Sequence, residues 1–445
     1  MKAPRSPVLL PWLFAAVLAG CTDFLGSEGH SSPPYVKSFS PAPAETGVSV
    51  LAPVAIEFSR KPALSTVPLG ISLNKAGREV AYEVSYLGER TVLLTPTDPM
   101  DFGAGYQVSV GPALTFQNGM TFPSFESSSF TTEGFPLPSP SRDSLFYHLE
   151  ALAHDSMRGR GSGTDDELRA AGYLAERFAA YGLSAPQGGM IQSFEAVSFM
   201  DAQPLTSRNV LAMVPGSGDL AQEWVVVGGH YDHVGMREVY GGDPVPANGA
   251  DDNASGTVLV LEMARVLQRY VDEGGMAGNA RRSVLFAAFG AEEVGLLGSC
   301  HYVLQAPVVP LLYTRAMMNF DMVGRMRDRA VWVFGMETSE AWDPLVRNAN
   351  LPFLDLRVPT STCPGCTDHA CFWQVGIPFV WFYTGSHPEY HSPADDVELI
   401  NFPGLEDIGE VSLRVLVRLL VAPEPPPFSG VTPGLSSLVG APLFP

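Results

Sequence analysis

Five short stretches of this sequence place histidines and carboxylates where they could hold and use a metal ion: His230-Tyr231-Asp232, Asp251-Asp252-Asn253, Glu292-Glu293, Asp321 and Tyr390-His391. Imidazole nitrogen and carboxylate oxygen are the donors that a catalytic zinc ion takes. In His230-Tyr231-Asp232 the carboxylate can take the second ring N–H of the histidine and fix its tautomer. Two adjacent carboxylates, Glu292 and Glu293, can do different jobs, one as a ligand and one free to move protons. Singly, most of these have a plain structural reading. A histidine at a strand end is commonly just a satisfied residue, two acids before a helix cap it and favour its dipole, and a Glu pair can open a solvated helix. Asp321 is harder to dismiss. It follows Met317-Met318-Asn319-Phe320, and a charge beside a buried strand is costly unless paired or bound to metal.

The elements that must position these residues can be read from the hydrophobic pattern. Apolar runs at residues 209–214, 224–229, 283–289, 316–320, 331–334 and 377–383 are separated, in several cases, by helical stretches. One of these covers residues 165–182, with Leu168, Ala171, Leu174, Phe178 and Tyr181 at helical spacing. This alternation predicts an α/β domain with a mostly parallel, doubly wound sheet. Ligands of such sheets gather beyond the carboxyl ends of the strands. His230, the Glu292-Glu293 pair and Asp321 each follow an apolar run, His391 lies in a loop beyond the last one, and Asp252 opens a helix running through Val258, Leu261 and Val266. Two consecutive Asp among small residues suggest a tight backbone turning one carboxylate toward the sheet end, where its oxygens could be shared between two cations. The other histidines, His30, His148, His154, His233, His301, His369 and His387, lack this joint context and are expected to be structural or solvent-facing.

In this order and setting, the five stretches closely resemble the M28 family of zinc exopeptidases, across residues 143–421. The matching pieces are Gly229-His230-Tyr231-Asp232, residues 249–256, residues 291–299, Asn319-Phe320-Asp321 and residues 390–396; Met157-Arg158-Gly159-Arg160 and Thr367-Asp368-His369 look similar too. The resemblance implies that two Zn²⁺ are bound. Asp252, chosen over Asp251 by the Asn and small-Ser-Gly that follow it, would bridge them, with a cis peptide at Asp252-Asn253. Glu293 and His391 would complete one ion, Asp321 and His230 the other, and Asp232 would orient His230. Glu292 would be the general base and acid, and Tyr390 would hydrogen-bond the oxyanion. Physically, two such cations about 3.5–4 Å apart activate water and polarise a carbonyl. The expected substrates are peptides and the expected activity that of an aminopeptidase, because Glu292 and Asp321 suit a free α-amino group. Carboxypeptidases and glutaminyl cyclases of the same family are the alternatives, and a non-catalytic surface-binding lipoprotein is the reading from a different class.

The rest of the chain supplies the setting. Its 445 residues exceed a single small module. Hydrophobic residues at 46% give it a core, and 47 acidic against 27 basic residues, net −20, exclude a grip on nucleic acid. Residues 1–20 carry Lys2, Arg5 and a short apolar run, an export signal, and Leu18-Ala19-Gly20-Cys21 resembles a bacterial lipobox, so Cys21 is expected to carry a lipid and hold the protein to a membrane of the cell envelope. After a linker (21–34), residues 35–133 show short alternating runs that predict an all-β sandwich. With Ser40-Pro41-Ala42 and Phe130-Thr131-Thr132, this segment resembles bacterial Ig-like domains. A Pro/Ser-rich linker (134–142) leads to the peptidase-like domain (143–421), and a Pro/Gly-rich tail (422–445) follows. In an exported chain Cys363-Pro364-Gly365-Cys366 reads as a local disulfide more readily than as half a zinc site, and Cys366 stands directly before Thr367-Asp368-His369 as a disulfide cysteine does in some members of the family. Cys300 and Cys371 are expected to be small buried hydrophobes.

Overall fold

The computed structural model describes residues 32–432 apart from 51, 98–99, 102, 133–136, 277–278, 351–353, 360–362 and 431. The export signal, Cys21 and most of the tail lie outside the described residues.

The N-terminal strands are β1 (Val36–Ser40), β2 (Val54–Phe58), β3 (Ile71–Lys75), β4 (Arg78–Glu79), β5 (Tyr82–Leu87), β6 (Thr91–Pro96), β7 (Gly105–Val110) and β8 (Glu126–Thr131), with a helical turn α1 (Val67–Gly70) before β3. They form two antiparallel sheets, ordered β1-β2-β6-β5 and β4-β3-β7-β8. The alternation in sequence is the cause. Val54, Ile56 and Phe58 of β2 and Tyr106, Val108 and Val110 of β7 all turn inward to one shared core, where Phe58 meets Phe116 and Phe122 edge-on at 5.7 and 6.3 Å.

Beyond it, α2 (Arg142–Leu152) and α3 (Asp165–Ala180) precede β9 (Ile191–Val197), β10 (Pro204–Val214), β11 (Trp224–His230), and the short β12 (Met236–Arg237) and β13 (Val245–Pro246). The chain continues through α4 (Gly256–Asp272), β14 (Ser283–Phe289), α5 (Leu297–Leu304), β15 (Thr314–Phe320), β16 (Ala330–Phe334), α6 (Trp342–Ala349), β17 (Asp355–Arg357), α7 (His369–Gln374), β18 (Phe379–Tyr383) and α8 (Phe402–Val421). The eight-stranded sheet has the order β17-β16-β18-β15-β11-β14-β10-β9. Its centre, β14, β11, β15 and β18, is parallel, as the sequence predicts. Its flanks are not: β10 runs antiparallel to both β14 and β9, and β16 antiparallel to β18.

Both faces are covered. Val225 and Val227 of β11 pack into the core shared with α2, α3, α4 and α8, while Val226 packs into the core shared with α5 and α7. In α3 the buried stripe is Glu167, Ala170, Ala171, Leu174 and Phe178, and Leu168 turns out to solvent. Glu167 faces inward because it accepts the Ser207 hydroxyl and the Gly163 N–H, and burial pushes its carboxyl up to about 8. Two disulfides are present. Cys363–Cys366 is the local one expected. Cys300–Cys371 corrects the reading of those residues as unpaired hydrophobes: they tie α5 to α7 with their Cα atoms 5.2 Å apart. Among the described residues no helix is long and apolar enough to cross a membrane.

Candidate metal centre

The three central strand ends place the first donors. His230 closes β11, and its neighbour β15 delivers Asp321 one residue past Phe320. A Cβ on Gly229 would lie 2.4 Å from the Phe320 carbonyl oxygen, so only glycine lets the two strand ends come this close. His230 Nε2 stands 3.5 Å from Asp321 Oδ1. Its other ring nitrogen, Nδ1, lies 3.2 Å from the Asp232 main-chain carbonyl and 3.8 Å from the Asp232 carboxylate. That carboxylate holds the loop after β14 instead: Oδ1 accepts the Glu292 N–H at 3.0 Å, and Oδ2 accepts the Glu293 N–H at 3.3 Å and the Ser162 hydroxyl at 2.6 Å.

The loop before α4 supplies the donor between them. Its peptide Asp252-Asn253 is cis. Asn253 locks it by donating to the Phe320 carbonyl at 2.9 Å and accepting the N–H groups of Gly256 (2.9 Å) and Met322 (3.2 Å). The two aspartates face opposite ways. Asp251 accepts the Gly324 N–H (2.6 Å) and the Ser255 hydroxyl (3.0 Å), and its second oxygen faces His387 Nε2 at 3.3 Å. Asp252 faces the strand ends: Oδ1 is 3.4 Å from His230 Nε2 and Oδ2 is 3.0 Å from His391 Nε2. His391 lies 2.9 Å from Glu293 Oε2, and the Tyr390 ring stacks on it at 3.8 Å.

Six of the eight residues singled out from the sequence therefore meet as donors in two groups, with Asp232 bonded to the loop carrying Glu292 and Glu293 and Tyr390 stacked on His391. His230, Glu292 and Asp321 form one; Asp252, Glu293, His391 and also His233 form the other, with the donor atoms of each group within 4.8 Å of one another. His233 is a correction. It is fully buried, with Nδ1 2.7 Å from Glu293 Oε1 and 3.5 Å from Asp252 Oδ2. The signal for it was its place one residue after Asp232, where the chain has left the strand and can bring a second imidazole back. Three further groups were not singled out as site residues. Arg160 is fully buried and donates to the carbonyls of Leu152, Tyr231, Asn248 and Gly249, tying the segment before α3 to two of the donor segments. Asp395, paired to Arg325 at 2.9 Å, accepts the N–H groups of Asp251 and Asp252 at 2.9 and 3.0 Å. Asp368 is fully buried, and burial pushes its carboxyl up to about 7.

The charges are arranged for cations. Burial pushes Asp252 up to about 6, reinforced by Glu293, and burial raises Glu292 well above the usual carboxylate range. Against burial, His233 and His391 hold Glu293 far down, and the carboxylates of Asp252 and Glu293 push His391 up to about 10. Several inward atoms, Asp252 Oδ2, Asp321 Oδ1 and His391 Nε2, are buried and make no hydrogen bond, which is expensive for groups with nothing to bind. Convergent nitrogen and carboxylate oxygens with free lone pairs fit Zn²⁺.

The comparisons with known proteins agree with this geometry. The family model described as Peptidase family M28 matches residues 209–416, and that of a bacterial Ig-like domain matches residues 30–132. Aminopeptidase YwaD of Bacillus subtilis (strain 168) is 31% identical over 217 residues, which span 46% of this chain and 43% of that protein. Leucine aminopeptidase 1 of Ajellomyces dermatitidis (strain ER-3 / ATCC MYA-2586) is 26% identical over 336 residues, 72% of this chain and 82% of the relative. Among solved structures, BSAP, a zinc aminopeptidase from Bacillus subtilis, has the same fold, with a TM-score of 0.52 at 18% identity over 66% of this chain and 100% of that one.

Proposed function

We propose that this chain, whose residues 209–416 match the model of Peptidase family M28 and whose residues 30–132 match that of a bacterial Ig-like domain, is an exported two-zinc aminopeptidase that removes residues from the free N-terminus of peptides. The observation that carries the proposal is Asp252, whose two carboxylate oxygens address two different donor groups. It would bridge the ions, with His230 and Asp321 completing one and Glu293 and His391 the other. When bound, the zinc pair supplies Lewis acidity, lowering the pKa of a water and polarising the scissile carbonyl.

The chain's own residues do the rest. Glu292, buried and raised well above the usual carboxylate range, takes the water's proton and returns it to the leaving amine. Tyr390, which burial keeps protonated, can donate its hydroxyl to the developing oxyanion from its place stacked on His391. Asp232 keeps Glu292 and Glu293 on station through their N–H groups. The acidic side of the cluster, Glu292 and Asp321, suits the α-amino group of a substrate.

The two disulfides and the Ig-like domain support an extracytoplasmic location. We read residues 1–20 as the export signal, Cys21 as the lipid anchor, residues 35–133 as the spacer domain and 143–421 as the enzyme. The test is hydrolysis of aminoacyl p-nitroanilides beside N-blocked and C-terminal-exopeptidase substrates, on metal-quantified protein lacking residues 1–20, with and without chelator. Chelator-sensitive cleavage of free-amine substrates alone, with about two zinc per chain, is the expected result. Two zinc with cleavage only at another peptide end, or cyclisation of N-terminal Gln, would overturn the aminopeptidase reading. Absence of metal would favour a binding protein.

A further inference from the structure

The mouth of the metal centre carries two arginines in a chain of net charge −20. A cleft of about 500 Å³ opens beside Glu293 and His391, with Met200, Met236 and Val294 among its apolar lining and Arg158 and Arg237 among its polar lining. Arg158 shares Asp166 with Arg169, at 3.3 and 2.8 Å, so two guanidinium groups face one carboxylate and the trio keeps a net positive charge. Arg237, at the end of β12, is half-buried and donates to the main-chain carbonyl of His391 at 3.3 Å. No carboxylate among the described residues lies within 4.0 Å of its guanidinium. A guanidinium presents five donors in a planar fork matched to a carboxylate, and a single long bond to a carbonyl leaves most of them unused.

We propose that Arg237 is a specificity-determining residue that takes a carboxylate of the substrate, carried by the residue immediately after the scissile bond. This rests on the aminopeptidase reading for its direction along the peptide. Arg237 rests on the backbone of His391, whose ring reaches Asp252 and Glu293, so the fork stands beside the reacting centre with the His391 residue between them. The acidic side, Glu292 and Asp321, is left for the amino end. A substrate with an ammonium at one end and a carboxylate one residue on would be held at both. That carboxylate comes either from the C-terminus of a dipeptide or from an acidic side chain at the second position of a longer peptide.

The test uses the metal-loaded protein and non-hydrolysed ligands, followed by substrates. Binding of leucyl-sarcosine is compared by calorimetry with leucyl-sarcosine amide, and kcat/KM for Leu-Gly is compared with Leu-Gly-NH₂ and for Leu-Glu-NH₂ with Leu-Gln-NH₂. The carboxylate member of at least one pair should be favoured by about tenfold or more, the scale of one charge-assisted hydrogen bond. That ratio should fall to near one in Arg237→Met and recover in part in Arg237→Lys. A preference confined to the dipeptide pair assigns the site to the C-terminus; one confined to the Glu/Gln pair assigns it to the side chain. Ratios near one in the native protein, or a native preference that Arg237→Met leaves intact, would overturn the proposal. A binding preference that depends on Arg237 without any hydrolysis would uphold the carboxylate site while removing the aminopeptidase reading and, with it, the place of that carboxylate after a scissile bond.

Discussion

The carboxylate of Asp395 accepts the backbone N–H of Asp252 at 3.0 Å, so the loop that carries His391 also fixes the loop that carries the residue between the two donor groups. Its other oxygen is neutralised by Arg325 at 2.9 Å, and Asp395 itself is fully buried. Asp395→Asn replaces one acceptor by a donor inside this network. Metal affinity, measured by competition with a chelator, should fall about 10–100-fold, the usual effect of losing an outer partner of a ligand. Unchanged affinity would make Asp395 a bystander.

Glu292→Gln should keep both metal ions and lose about 10²–10⁴-fold in turnover, the share of a general acid–base group. Zinc content by elemental analysis and initial rates on a free-amine substrate check the two halves separately. Near-normal turnover with full metal would remove Glu292 from the chemistry.

Gly229→Ala puts a methyl group 2.4 Å from the Phe320 carbonyl, where only the separation of β11 and β15 can relieve it. Their ends carry His230 and Asp321. We expect a loss of about 1–3 kcal/mol in urea unfolding, together with weakened zinc binding. A variant matching the parent in both measurements would show that the strand ends tolerate separation.

His148 lies between Tyr173 and Tyr181, with ring nitrogens 2.6 and 2.5 Å from their hydroxyls. Burial pulls it down to about 4, opposed by Glu262 and reinforced by Arg177 and Arg265. It is therefore neutral in the folded protein at pH values where the unfolded chain already binds the proton. Its stabilising contribution is complete above about 6.5 and is lost as the pH falls from there toward about 4. Unfolding midpoints across that window should fall more steeply for the parent than for His148→Gln; parallel curves would contradict the assignment.

Cys300–Cys371 closes a sequence separation of 71 and Cys363–Cys366 one of 3. On the chain-entropy account the first stabilises by about 4 kcal/mol and the second by about 2. Paired Cys→Ala variants compared in urea should therefore rank in that order. The reverse order would place the stabilisation in the folded state instead.

Much of the site was legible because its donors obey one rule: polar residues standing just beyond buried strands. That rule found His230, Glu292, Glu293 and Asp321, and the resemblance chose Asp252 over Asp251. His233 escaped it because an imidazole on a loop has no periodic signature, and only the return of the chain past Gly235, which approaches Gly161, shows where it faces. Strand direction was not legible either. A short apolar run such as residues 331–334 reads the same whichever way it runs, so the antiparallel placement of β16 against β18 emerges only from the pairing. The bond between Cys300 and Cys371 depends on how α5 and α7 stack, which neither helix encodes alone.

The guanidinium of Arg160 has a consequence for how much of the chain is needed at once. It bonds carbonyls on both sides of the sequence interval it spans, from Leu152 to Gly249, and the donors continue to His391. A fragment that ends anywhere between Leu152 and His391 leaves behind the clamp, part of what it clamps or one of the donors. A single cut in a loop that lets either half drift away would erase the centre while leaving every donor chemically intact. The centre is thus an all-or-none reporter on the integrity of the whole domain.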